Sequence, residues 1–228
     1  MMRVLTSLLL SAAVLMVACT NAEKEQQKVG AGVFFDYRIW GEEDREEVTC
    51  MVQFRMGGPE GTSFLLPDPA GVTLDGTALK PDSAKLSGAF YELIRPLSEF
   101  QGRHTIVFTD AGGRQHPQDF DFSAFEVAEL PAKVSAGSFV IQLSGFPDGE
   151  APVRLALTDT AFATNDVNEI VEAQNGRIEV TQAMLDKLKP GPIAVEIFRE
   201  TEKLVNQETL KGKIWVSYGL RKEFELVR

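Results

Sequence analysis

Val33-Phe34-Phe35-Asp36-Tyr37-Arg38-Ile39-Trp40, a polar Gly41-Glu42-Glu43-Asp44-Arg45-Glu46 segment, and Val48-Thr49-Cys50-Met51-Val52-Gln53-Phe54-Arg55-Met56 decide the fold of this chain. In the first run Val33, Phe35, Tyr37 and Ile39 alternate with Phe34, Asp36, Arg38 and Trp40. In the second, Val48, Cys50, Val52, Phe54 and Met56 share one face. A period of two buries one side of a β-strand and turns the other outward. Two such runs joined by a polar turn predict a hairpin, closed by Gly57-Gly58-Pro59-Glu60-Gly61.

The same signal recurs downstream. Ser63–Leu66, Gly71–Leu74 with Asp75-Gly76 as a hairpin turn, and Ala89–Ile94 read as shorter strands. His104–Thr109 runs through Asp110–Gly113 into Gln118–Phe122 as another hairpin. This is roughly seven strands in about 95 residues, the density of a β-sandwich. Glu126–Ser135 reads as a junction, after which the pattern restarts at Phe139–Ser144, Val153–Thr158 and, past the Asn175-Gly176 turn, Ile178–Val180.

One segment reads as helix. Thr181 is a plausible N-cap, Met184, Leu185 and Leu188 form an apolar stripe, and Pro190-Gly191-Pro192 ends it. Ile193–Ile197, Lys213–Tyr218 and Glu223–Val227 complete the strands, the last two across a predicted Gly219–Lys222 turn. The expectation is an all-β protein of two tandem sandwiches, residues 32–128 and 129–228, with one short helix in the second.

The N-terminus carries a different pattern. Arg3 precedes the apolar run Val4–Val17, which is too short to span a bilayer and ends on Leu15-Met16-Val17-Ala18-Cys19. A small residue directly before cysteine resembles the lipobox of bacterial lipoproteins. That resemblance implies cleavage of residues 1–18, acylation of Cys19 and a lipid-mediated membrane partner. Residues 19–31 are polar and aperiodic, a flexible tether. Thr20 lacks the aspartate that retains some lipoproteins at the inner membrane, so the expected location is the outer membrane, on either leaflet.

Leu185–Arg199, Gly212–Tyr218 and Gly57-Gly58-Pro59 are similar to stretches in uncharacterised lipoproteins of Bacteroidetes. That resemblance implies tandem immunoglobulin-like sandwiches, and it carries no catalytic residues. The architecture also resembles lipoproteins of glycan-uptake systems.

Little chemistry stands out. With 33 acidic against 23 basic residues and a formal charge of −10, the chain is a poor candidate for nucleic acid. With Cys19 assigned to lipid, Cys50 has no cysteine partner and reads as a buried structural thiol. His104 and His116 flank a hairpin as edge or loop residues; two histidines do not make a zinc site, and no metal or other cofactor is expected. Phosphate loops, dinucleotide fingerprints and a Gly-x-Ser-x-Gly elbow are absent from the sequence. Asp159, Asn165, Asp166, Asn168 and Glu169 offer oxygen ligands to calcium without EF-hand spacing, and a solvated loop is the simpler reading. Asp119 and Asp121 share an outer strand face, where solvation again accounts for them.

The aromatics are the lead. Trp40, Trp215, Phe34 and Phe198 fall on the face opposite their strand's aliphatic set. Rings on a sheet surface bind a protein partner, stack on sugars, or are covered by the other domain. The expected function is therefore a non-enzymatic binding or accessory module for an envelope protein assembly. The alternative is a glycan-binding lipoprotein, which requires Trp40 or Trp215 to be open beside polar groups.

Overall fold

In the computed structural model, which describes residues 32–135, 137–160, 167–207 and 210–227, the opening alternation forms the predicted hairpin. β1 (Val33–Glu42) and β2 (Glu47–Met56) pair antiparallel from Val33 opposite Met56 to Glu42 opposite Glu47. Six further strands follow: β3 (Thr62–Phe64), β4 (Gly71–Leu74), β5 (Thr77–Ala78), β6 (Lys80–Ala84), β7 (Gly88–Pro96) and β8 (Gly102–Thr109). Then come β9 (Gln115–Phe122), β10 (Glu126–Glu129), β11 (Lys133–Val134), β12 (Phe139–Ser144), β13 (Glu150–Asp159), β14 (Val167–Gln174) and β15 (Arg177–Val180). A one-turn helix, α1 (Gln182–Leu185), leads into two long strands, β16 (Gly191–Gln207) and β17 (Leu210–Leu226). The signal segment, the tether with Cys19, and the Asn165-Asp166 part of the acidic loop lie outside the described residues.

The chain is all-β, and its two sandwiches share a sheet. β17 pairs in parallel with β1, from Phe34 opposite Lys211 to Glu42 opposite Gly219, and then continues beside β16 to Leu226, with β11 parallel at its end. In the first sandwich, β16 (its second half), β17, β1, β2, β7 and β6 make one layer and β5-β4-β8-β9 the other. Phe108 on β8 meets Phe35 and Phe54 at centroid distances of 5.2 and 5.5 Å, joining the layers. In the second sandwich, β14 and β15 share one residue pair, so the sheet folds over at Asn175-Gly176. β10-β12-β15 then face β14-β13-β16-β17, and Phe139 touches Phe224 at 5.3 Å across the gap. Three strands against four is an immunoglobulin-like arrangement. The division at residues 128 and 129 does not coincide with a division between sheets, because residues 199–207 and 210–219 belong to the first layer.

Two local readings change, at Gly219–Lys222 and Glu126–Ser135, and one strand is added. Gly219–Lys222 is no turn: β17 runs through it, with Gly219 opposite Phe198 and Leu220 opposite Ile197. The glycine serves a close approach instead, since a Cβ there would lie 2.4 Å from the Phe198 ring. Lys80–Ala84 is a strand despite Pro81, tolerated because β6 is an edge. Glu126–Ser135 is not a bare linker but supplies β10 and β11.

α1 forms as its sequence dictates. Thr181 Oγ1 accepts a hydrogen bond from the Met184 amide at 3.3 Å, and Met184, Leu185 and Leu188 are buried. Thr181→Ala is expected to lower stability by about 1 kcal/mol, measured by urea unfolding with an unchanged slope.

Candidate functional site

The outward face of the shared layer is built row by row from the strand register. Glu200, Ser217, Trp40, Thr49 and Ile94 form one row across β16, β17, β1, β2 and β7. Glu202, Trp215, Arg38, Met51 and Glu92 form the next. Trp40 and Trp215 are therefore diagonal neighbours on adjacent strands, close enough for both rings to border one space. Phe198 closes its end, lying over Gly219, where no side chain stands in its way.

These residues surround an open cleft of about 360 Å³, lined by Arg38, Trp40, Met51, Phe198, Glu200 and Trp215, with Glu42 and Ser217 at its edges. That lies at the lower end of the ~300–1,000 Å³ typical of small-ligand sites, which pair apolar walls with a few polar groups. Both indoles and Phe198 are half-buried. Among the described residues neither indole is in a ring–ring pair.

The charged groups on the walls are held in ion pairs. Arg38 donates to both oxygens of Asp36, a buried carboxylate on the same outward set of β1, with its closest contact at 2.9 Å, and Arg55 Nε lies 3.7 Å from the same carboxylate. Glu200 pairs with Arg154 at 3.2 Å, and Glu42 with Arg45 at 3.0 Å. Pairing fixes the direction of each group yet leaves spare donors on the guanidinium and spare lone pairs on the carboxylates. The site is thus aromatic side chains beside oriented, ion-paired hydrogen-bonding groups. That combination fits a neutral, hydroxylated ligand better than an ion.

Three of the four aromatic candidates, Trp40, Trp215 and Phe198, meet here. Phe34 does not: it sits six residues before Trp40 on the same strand, about 20 Å away at the rise of a β-strand, opposite Arg55 and Lys211. Arg38, Glu200 and Ser217 were not singled out in the sequence. A polar residue on the outward half of an alternating strand reads as solvation until the strand beside it is known.

The remaining candidates have structural roles. Asp119 accepts from Arg103 and, at 2.7 Å, from the Thr105 hydroxyl across β8–β9. Those hydrogen bonds, the one from Arg103 foremost, hold its carboxyl below the ordinary range, so it stays ionised and is no proton donor near neutrality.

His104 is on the inner strand β8 and His116 on β9, the edge strand of the same sheet, and both rings are buried. His104 faces inward, stacked on Phe100 at 3.9 Å, with Nδ1 2.7 Å from the Asp75 carboxylate. His116 also faces inward, against Phe108, with Nε2 3.3 Å from Asp110. Each is held by an aspartate at a hairpin end, a sequence-distant link that alternation alone does not show for His104.

Cys50 is buried, and burial first, then the Asp75 charge, pushes its thiol up to about 12, consistent with an inert packing residue. Asp159 turns inward and accepts from the Lys189 amide at 2.8 Å, while Glu169 pairs with Lys187 at 2.8 Å. These described members of the acidic loop are thus engaged with protein groups.

No protein-family model matches the chain, and no curated protein sequence matches it. Among solved structures it is similar to the two immunoglobulin domains of DIP-gamma, at 8% identity over 86% of this chain and 95% of that one, with a TM-score of 0.23. The complex of Dpr11 IG1 with DIP-gamma is similar at 10% identity over 82% and 98%, with a TM-score of 0.24. So is Bacteroides ovatus SGBP-B, of a mixed-linkage glucan utilization locus and in complex with a mixed-linkage heptasaccharide, at 12% identity over 76% and 53%, with a TM-score of 0.23. These are distant likenesses, and the functional reading stands on the cleft alone.

Proposed function

We propose that this protein is a non-enzymatic binding module, anchored to the outer membrane through a lipid on Cys19, that seats a sugar ring of a neutral glycan between Trp40 and Trp215. The observation behind this reading is two half-buried indoles, neither in a ring–ring pair among the described residues, beside charged groups already held in ion pairs. The CH face of a pyranose is apolar and packs on an aromatic face, while its hydroxyls exchange hydrogen bonds with groups such as Arg38, Glu200 and Ser217. A lipid anchor with a polar tether would hold this face out to extended polymers.

The chain has two tryptophans, both in the cleft, so intrinsic indole emission reports on this site alone. Titrating the full chain with soluble β-glucan, xylan, mannan and α-glucan oligosaccharides is expected to give a saturable emission change with at least one class. A flat response to all four would overturn the glycan assignment.

One observation favours a second reading, the envelope protein partner. Ile94 is 48% exposed and lies opposite Thr49, which lies opposite Trp40, so apolar surface continues past the cleft along one row. Cross-linking in cells would then capture a partner that is lost with Ile94→Asp. Capture without any emission response to glycans would select this reading.

A further inference from the structure

The first sandwich has two unlike ends. At one, β1 and β2 are joined through residues 42–47, every one of them charged. Gly219 lies opposite Glu42 there, so this is the end from which β17 runs on into the second sandwich. At the other end the turns carry few charges. Gly57-Gly58-Pro59-Glu60-Gly61 leads from β2 to β3, and Lys85-Leu86-Ser87 from β6 to β7, with one acid in the first and one base in the second. In the other layer Asp110-Ala111-Gly112-Gly113-Arg114 joins β8 to β9 just past Phe108, which packs on Phe35 and Phe54.

The register brings the β6–β7 turn to the level of Met56. β7 runs antiparallel to β2 from Pro96 opposite Glu47 to Tyr91 opposite Val52. The Ala89 amide then donates to Ser63 Oγ at 2.8 Å, and Ser63 lies opposite Arg55. The residues that follow toward the turn therefore reach the last residue of β2, Met56. Leu86, at the turn, is 100% exposed, and Met56 is 52% exposed although it belongs to the inward set of β2. A single exposed apolar side chain needs no account. Two at the tips of one end, on turns of balanced charge in a chain of formal charge −10, do.

The fold also begins at this end. The Gly57 amide donates to the Gly32 carbonyl at 3.1 Å, and Val33 pairs with Met56, so the first described residue sits beside these tips. Only residues 20–31 separate Gly32 from Cys19, and such a length reaches at most about 40 Å. A short tether gives a local concentration on the order of millimolar, so a surface contact too weak to recruit a free protein is populated in a tethered one. The balanced turns meet no net repulsion from anionic headgroups, which the acidic remainder of the chain does.

We infer that the Met56–Leu86 end of the first sandwich docks on the lipid bilayer, with Leu86 and Met56 entering the boundary between headgroups and acyl chains. This rests on the lipid anchor at Cys19 proposed above. Docking at this end stands β1 and β17 away from the membrane. Trp40, seven residues along β1 from Val33, is then roughly 20 Å above the surface, where a glycan can reach the cleft.

The test couples the chain from Cys19 onward, through that cysteine, to a maleimide-bearing phosphatidylethanolamine. The vesicles are phosphatidylethanolamine with phosphatidylglycerol, with and without bromine on the acyl chains. Cys50 is buried and does not compete for the maleimide. Bromine quenches an indole only at close range. Leu86→Trp is expected to lose emission at least twofold on brominated against plain vesicles. The natural chain, with its two indoles held off the surface, is expected to be unquenched. So is Ala183→Trp, an exposed position on α1 of the second sandwich. In the natural sequence, vesicles should slow deuterium uptake at least threefold in residues 57–61 and 85–88. Met56→Ser with Leu86→Ser, both at exposed positions, should abolish that slowing.

Quenching at position 86 no greater than in the natural chain, equal quenching at position 183, or uptake that vesicles do not slow would overturn the docking. Acylation is read separately, as the mass of the chain recovered from cell membranes. An unmodified Cys19 would overturn the anchor and with it this placement. An acylated Cys19 without quenching at position 86 would keep the anchor and overturn the docking alone.

Discussion

Alanine at both Trp40 and Trp215 is expected to abolish the response to a neutral oligosaccharide, and alanine at Trp215 alone to weaken it about 30-fold. A well-seated aromatic anchor contributes about 2 kcal/mol to binding when judged by truncation, and 1.4 kcal/mol is a factor of ten. Both rings stand on the outer side of the shared sheet, off the core that Phe35, Tyr37, Phe54 and Phe108 fill beneath it. Binding should therefore fall much further than stability. Because the double variant has no tryptophan, it is followed by calorimetry, with Trp215→Phe as the ring-conserving control.

Gly219→Ala tests the same geometry from below. Its Cβ would sit 2.4 Å from the Phe198 ring and must push that ring into the cleft. Binding should weaken with all the contact residues intact. If the tryptophan variants bind within threefold of the natural chain, the cleft is not where the ligand sits.

Why the sequence reached part of this site and not the rest follows from how strands display residues. Trp40 and Trp215 announce themselves because a large ring out of phase with its strand's aliphatic set has no solvation reason to be there. Phe34 gives the same signal and yet lies elsewhere, since phase says which face a residue occupies but not how far along. Arg38 and Glu200 give none, because a charge on an outward position is what any exposed strand shows.

The fold divides similarly. β1, β2, β8 and β9 were legible from alternation, and α1 from its cap and stripe. The second half of β16 was not. Glu200, Thr201, Glu202 and Lys203 are polar on both faces, as at a sheet edge with exposed sides, and only the pairing with β17 makes them a strand. Gly219 misled for a physical reason as well: glycine marks a turn when it supplies a left-handed backbone, and a close approach when it supplies the lack of a side chain.

Gly212 shows the second use where it matters most for stability. It lies opposite Phe35 in the parallel pairing of β1 with β17, and a Cβ there would fall 2.1 Å from the Phe35 carbonyl oxygen and 2.6 Å from its Cβ. Neither atom can yield without moving β1, whose inward residues Phe35, Tyr37 and Ile39 are fully buried. Gly212→Ala must therefore either part β17 from β1 or shift the aromatic cluster of Phe35, Phe54 and Phe108.

Overpacking of this kind costs about 1–3 kcal/mol, and a backbone obstacle places this variant at the upper end. The expected result is a loss of about 3 kcal/mol, read as a fall in thermal midpoint of roughly 10 °C for a chain of this size. Amide exchange should rise along Phe34–Glu42 and Lys211–Gly219 before it rises in β12–β15. That order is the informative part: the last hairpin belongs to both sandwiches, and loosening its first-sandwich half should leave the second sandwich protected. A change below about 1 kcal/mol, or exchange that rises evenly through both halves, would show that β17 does not close against β1. The register that sets Trp215 diagonally beside Trp40 would then go with it.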